Sequence, residues 1–137
     1  RRALGEAGVP VPEPLYGDWR PRSGYRIGAQ LAGAPDVSAL FVANDQMALG
    51  ALRALGEAGV RVPDDVSVIG FDDIPESEFF TPPLTTVAQD FSEVGRRGIG
   101  LLIDMLEAPA ESASPHPARS VVPARLVARV STAPARA

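Results

Sequence analysis

The side chains in this chain best able to do chemistry are carboxylates, carboxamides and a single indole, grouped as Asp18-Trp19, Asn44-Asp45 and Asp72-Asp73. What is missing narrows the chemistry as much. All 13 basic residues are Arg, which removes the phosphate-loop, Schiff-base and receiver-domain lysines together. With no Cys there is no thiol nucleophile, disulfide or Cys-rich zinc site. The one His, His116 in Ser114-Pro115-His116-Pro117, reads as a loop residue rather than a ligand or base. Neither a metal site nor a cofactor is expected. A net charge of −4 gives the chain no global attraction to nucleic acid.

An indole beside short polar groups suits a carbohydrate. The flat ring covers the C–H face of a sugar, while carboxylates and carboxamides take its vicinal hydroxyls. Each group also has a plain structural reading: Asn44-Asp45 as a helix N-cap, Asp72-Asp73 as a turn, Trp19 as core. Paired Asp residues further invite an enzyme, holding Mg²⁺ or acting as acid and base. Against that, Phe71-Asp72-Asp73-Ile74-Pro75 lacks an alternating Asp-x-Asp spacing, and no Gly-x-Gly-x-x-Gly follows a strand. A two-carboxylate glycosidase stays open, because separation in space rather than in sequence decides it.

Strand-like and helix-like segments alternate between these groups. Ser38–Ala43 and Val66–Phe71 are continuous apolar runs of the kind that form strands covered on both faces. Asn44-Asp45 opens a helix to about Ala58 with Met47, Leu49, Leu52 and Leu55 apolar. Leu84–Ala88 is a short strand, followed by a helix over Phe91–Leu106; Pro14–Asp18 ends another strand, before a helix over Ser23–Leu31 carrying Tyr25, Ile27 and Leu31. Glu107–Pro117 is a linker, Ser120–Val130 an edge or bulged strand around Pro123, and the tail from Ser131 is frayed. Arg2–Val9 recurs as Arg53–Val60, in both cases a helix end, a Gly stop and a Val-Pro step into the next segment. The opening Arg1–Gly8 reads as the last turns of a helix that starts upstream.

Such alternation implies parallel strands with helices on both faces, in one α/β domain of 137 residues. Ligands in such sheets bind beyond the carboxyl ends of the strands, where all three polar groups fall. No apolar stretch approaches the ~20 residues of a membrane span.

Four blocks resemble the lactose/galactose repressor family (LacI/GalR type). They are Gly17-Asp18-Trp19 with Ser23-Gly24-Tyr25; Phe41–Gly50; Val62–Asp73; and Pro82–Val87 with Gln89-Asp90-Phe91 and Gly95. The resemblance implies a doubly wound, mostly parallel α/β fold of the periplasmic-binding-protein-like type, comprising a C-terminal lobe and part of an N-terminal lobe. Residues 1–83 and the return strand 120–131 would form the C-terminal lobe. Residues 84–108 would cross into the N-terminal lobe, with a linker over 109–119 and a tail over 132–137.

The family pattern further implies that Trp19 stacks on an effector, that Asn44 and Asp72 hydrogen-bond it, and that Gln89 reaches it from the hinge side. Asp18 and Asp90 are further candidates. Leu49 and Phe80 fall where such repressors pair as homodimers, and Leu52 lies one helical turn on; ordinary core is the competing reading for all three. Implied partners are a small-molecule effector, a sugar above all, and operator DNA through an upstream helix-turn-helix headpiece, in the cytoplasm and away from membranes. An exported sugar receptor of a transporter and a carbohydrate-acting enzyme are the alternatives.

Overall fold

The computed structural model describes residues 2–10, 12–108 and 119–134. Its sheet has four strands, β1 (Ala39–Phe41), β2 (Ser67–Asp72), β3 (Thr85–Ala88) and β4 (Arg125–Val127), in that spatial order. Strands β1, β2 and β3 run parallel, with Phe41 opposite Ile69 and Asp72 opposite Ala88, while β4 closes the far edge antiparallel to β3. The helices are α1 (Arg2–Glu6), α2 (Pro21–Leu31), α3 (Asp45–Glu57) and α4 (Phe91–Glu107), with a 3₁₀ turn at Pro75–Phe79.

Helix α3 forms because Ala48, Ala51, Leu52 and Leu55 recur at helical spacing and bury one stripe. That stripe meets Val66 and Val68 of the sheet side, with Phe80 and Leu84 completing the core. Helix α2 packs on α3 by an unexpected face. Ser23, Gly24 and Gly28 are its buried residues, whereas Ile27 and Leu31 are half-buried and the exposed Tyr25 reaches α3 through its hydroxyl, which donates to Glu57 Oε2. A Cβ at Gly24 would overlap the Met47 carbonyl, and one at Gly50 the Pro21 carbonyl, so the two backbones touch directly. The helix begins at Pro21 rather than Ser23, since proline's preset φ suits a first helical turn.

Two expectations are corrected. Pro14–Asp18 is not a strand: Pro10, Pro12 and Pro14 strip backbone donors from this stretch, and residues 14–18 run exposed outside the sheet. The tail is not frayed at its start. Ser131 is fully buried; its hydroxyl donates to the Val68 carbonyl at 2.6 Å and accepts from the Thr85 amide at 2.8 Å. The return strand narrows to Arg125–Val127, an edge position in which Pro123 costs no ladder bond. Of the expected crossing segment 84–108, residues 85–88 pair with β2, and the chain leaves the sheet after Ala88. The linker from residue 109, His116 and the last three tail residues lie outside the described residues.

Candidate functional site

Because β1, β2 and β3 are parallel neighbours, the chain leaving each of them emerges on one edge of the sheet. Asn44 leaves β1, Asp72 ends β2, and Gln89-Asp90 leave β3. The Asn44 side chain does two jobs. Its Oδ1 accepts the Met47 amide at 2.9 Å as the N-cap of α3, and its Nδ2 donates to the Trp19 carbonyl at 3.0 Å. That second bond brings residue 19 to the same edge, although no strand precedes it. The loop leading there is closed by Ser23, whose hydroxyl accepts the Asp18 amide at 3.1 Å and donates to the Arg20 carbonyl at 2.9 Å. The Trp19 indole is left 66% exposed, so the core reading fails for it.

At the neighbouring exit, Gln89 Nε2 donates to Asp72 Oδ1 at 2.9 Å. A cavity of about 520 Å³ opens there, bounded by Asp72, Asp73, Gln89, Asp90, Phe91 and Arg125 among others. Asp73 is spoken for: Arg129 donates to it through Nη2 at 2.7 Å and to the Leu84 carbonyl through Nη1 at 2.8 Å, with Arg125 farther off at 3.9 Å. Among the described residues, Gln89 Oε1 and Asp72 Oδ2 remain as acceptors and the second Asn44 N–H as a donor, a set able to hold hydroxyl groups.

Backbone conformation singles out the same edge. Among the described residues, the non-Gly residues with positive φ are Trp19 (68°), Asp72 (112°) and Asp73 (56°). Such residues cost about 1–3 kcal/mol each and gather where a surface must aim its side chains.

The six expected ligand residues divide. Trp19 is tied to Asn44, and Asp72 to Gln89 and, through the cavity, Asp90. Neither Trp19 nor Asn44 lines that cavity, and Asp18 lines a separate hollow with Tyr16, Arg22 and Arg26. Asp18 accepts the Arg20 amide at 3.2 Å; the polar Ser23 hydroxyl beside it and then the Arg20 amide hold its carboxyl below the ordinary 3.8. Asp90 caps α4 by accepting the Glu93 amide at 2.8 Å. Both acids thus have local structural work. Of the expected pairing residues, Leu52 and Phe80 belong to the core and floor an apolar groove of about 460 Å³. Leu49 and Phe79 stand exposed at it. The exposed Phe79 and the pairing of Asp73 with Arg125 and Arg129 have little trace in the sequence beyond the doubled Phe79-Phe80 and two Arg residues near the return strand.

A model of the periplasmic binding protein-like domain family matches residues 1–132. The lactose operon repressor of Klebsiella pneumoniae is 41% identical over 138 residues, covering 100% of this chain and 38% of its own length. The lac repressor dimer bound to operator and the anti-inducer ONPF superposes with a TM-score of 0.83 at 36% identity, over 96% of this chain and 44% of that one. The transcriptional regulator CelR in complex with cellobiose does so with 0.83 at 41% identity, over 96% and 40%. This chain therefore spans less than half the length of these relatives. With a family match over nearly all its residues and the shared mixed sheet, the chain belongs to the periplasmic binding protein-like domain family, as an effector-binding domain of the LacI type.

Proposed function

We propose that the edge carrying Trp19, Asn44, Asp72 and Gln89 binds a sugar, and that the protein bearing it is a ligand-controlled transcription repressor. The observation that supports this most is convergence: donors and acceptors from three strand exits, and the three left-handed non-Gly residues, meet on one side of the sheet. In this reading the indole stacks on the sugar, Asn44 and Asp72 take adjacent hydroxyls, and Gln89 orients Asp72. Asp18 and Asp90 act at the margin.

A second lobe closes over the ligand. Helix α4 supports this, since it has no buried residue and shows Phe91, Val94, Ile99, Leu102, Ile103 and Leu106 to solvent. Residues 84–108 would belong to that lobe, and 1–83 with 120–131 to this one. Two copies pair through the groove of Leu49, Leu52, Phe79 and Phe80, and a headpiece upstream reads paired half-sites on DNA. The domain binds its sugar and releases it unchanged. Ligand control then extends only as far as the sugar prefers one lobe arrangement to the other.

Isothermal titration of the full-length protein against disaccharides, monosaccharides and phosphorylated sugars tests this. Cellobiose comes first, because a relative of 41% identity is known in complex with it. At least one sugar should bind, with Asp72→Asn weakening it by roughly tenfold or more, about 1.4 kcal/mol. A silent panel would sink the sugar assignment. Turnover that vanished in Asp72→Asn and Asp73→Asn would instead make the protein an enzyme.

A further inference from the structure

Asp45 follows Asn44 and is fully buried, yet nothing in the proposed binding scheme uses it. Its Oδ1 accepts from the Thr86 hydroxyl at 2.6 Å; its Oδ2 accepts from the Ser77 hydroxyl at 2.6 Å and the Ile74 amide at 3.1 Å. Capping does not account for this, because Asn44 already caps α3. Strand β2 also comes up against the group: a Cβ at Gly70 would overlap Asp45 Oδ1.

The three donors come from the segments that matter. Ile74 follows Asp72-Asp73, and Thr86 stands three residues before Gln89. Ser77 lies in the 3₁₀ turn that presents Phe79 and Phe80 to the apolar groove. Asp45 itself begins the helix that carries Leu49 and Leu52 to that groove. A buried acceptor that loses one donor stays unsatisfied, at a cost that keeps the cluster moving together.

We propose that Asp45 is a positioning residue that binds the effector rim and the pairing groove into one mechanical unit, so that ligand closure and dimer association alter each other. The proposal rests on the sugar-binding dimer described above. By linkage, whatever the ligand does to dimer affinity, dimerisation does to ligand affinity.

Trp19 is the only Trp of these 137 residues, so the emission lost in Trp19→Phe isolates its signal within the full-length protein. The full-length protein is followed by sedimentation and fluorescence while it is diluted through its dimer–monomer transition. In the wild type, Trp19 emission should change along that transition with no sugar present. Ser77→Ala and Thr86→Val, which each remove one hydroxyl from Asp45, should abolish the change, and Thr86→Ser, which keeps the hydroxyl, should retain it. In a second arm, a saturating sugar from the panel should shift the wild-type dimer dissociation constant by about fivefold or more. The shift should fall below roughly twofold in Ser77→Ala, while the sugar affinity of that variant stays within about twofold of wild type. The proposal is overturned if wild-type emission ignores dimerisation, if Ser77→Ala and Thr86→Val keep the full response, or if Thr86→Ser behaves as Thr86→Val. A silent sugar panel with an intact dilution response would end the sugar assignment and leave Asp45 in its role.

Discussion

At the scale of single residues, Asn44 has a structural role as the cap of α3 beside the binding role proposed for it, and the two can be separated by substitution. Its oxygen caps α3 while its nitrogen holds the Trp19 carbonyl. Asn44→Asp keeps an acceptor for the Met47 amide and removes the donor. Thermal stability should stay near that of the wild type while sugar affinity falls by roughly tenfold or more. Asn44→Ala loses both, and should in addition cost about 1 kcal/mol of stability in denaturant unfolding. If Asn44→Asp bound sugar like the wild type, the residue would be a cap and no more. Asp45 shows the limit of sequence reading at this scale: beside a helix start an Asp reads as part of the cap, and only the fold brings Ile74, Ser77 and Thr86 to it.

At the scale of elements, α4 has no comparable partner in the described residues, and its first turn is held by charge. Bonds from Arg96 and then Arg97 to Glu93 pull the Glu93 carboxyl from 4.5 down to about 2. A depressed carboxyl contributes stability that is complete above its unfolded value and lost as pH falls through its folded one. The first turn of α4 should therefore weaken between about 4.5 and about 2, as the carboxyl carbon of Glu93 reports by NMR titration. Arg96→Gln with Arg97→Gln should return the midpoint toward 4.5; an ordinary midpoint in the unaltered chain would contradict the ion-pair geometry. In the isolated 137-residue chain the amides of α4 should exchange fast beside those of α3, whose buried stripe protects them. Strong protection of α4 in a monomer would mean that its apolar face needs no second lobe.

At the scale of the whole molecule, the alternation of apolar runs with helical stripes was enough to place β1, β2, β3 and the helices between them, and hence the shared edge. Strand polarity did most of the work, since parallel neighbours send Asn44, Asp72 and Gln89 the same way. The misreadings have local causes. Prolines at 10, 12 and 14 defeat a strand that the flanking apolar residues invite, so Trp19 reaches the edge by a side-chain bond and not by a strand. The buried residues of α2 are small rather than apolar, because its backbone meets that of α3 directly at Gly24 and Gly50. Ser131 looked like tail because burial of a lone serine depends on carbonyl and amide partners more than 40 residues away.

The proposed function comes down to one rim, assembled from distant parts of the chain, that holds one sugar. It is tested most directly by titrating the full-length protein with the sugar found by calorimetry and following side-chain N–H signals by NMR. The indole N–H of Trp19 and the carboxamides of Asn44 and Gln89 should move together along a single binding curve. If those three stay still while signals from Arg22 and Arg26 around the separate hollow respond, the ligand sits elsewhere and the rim is not its site.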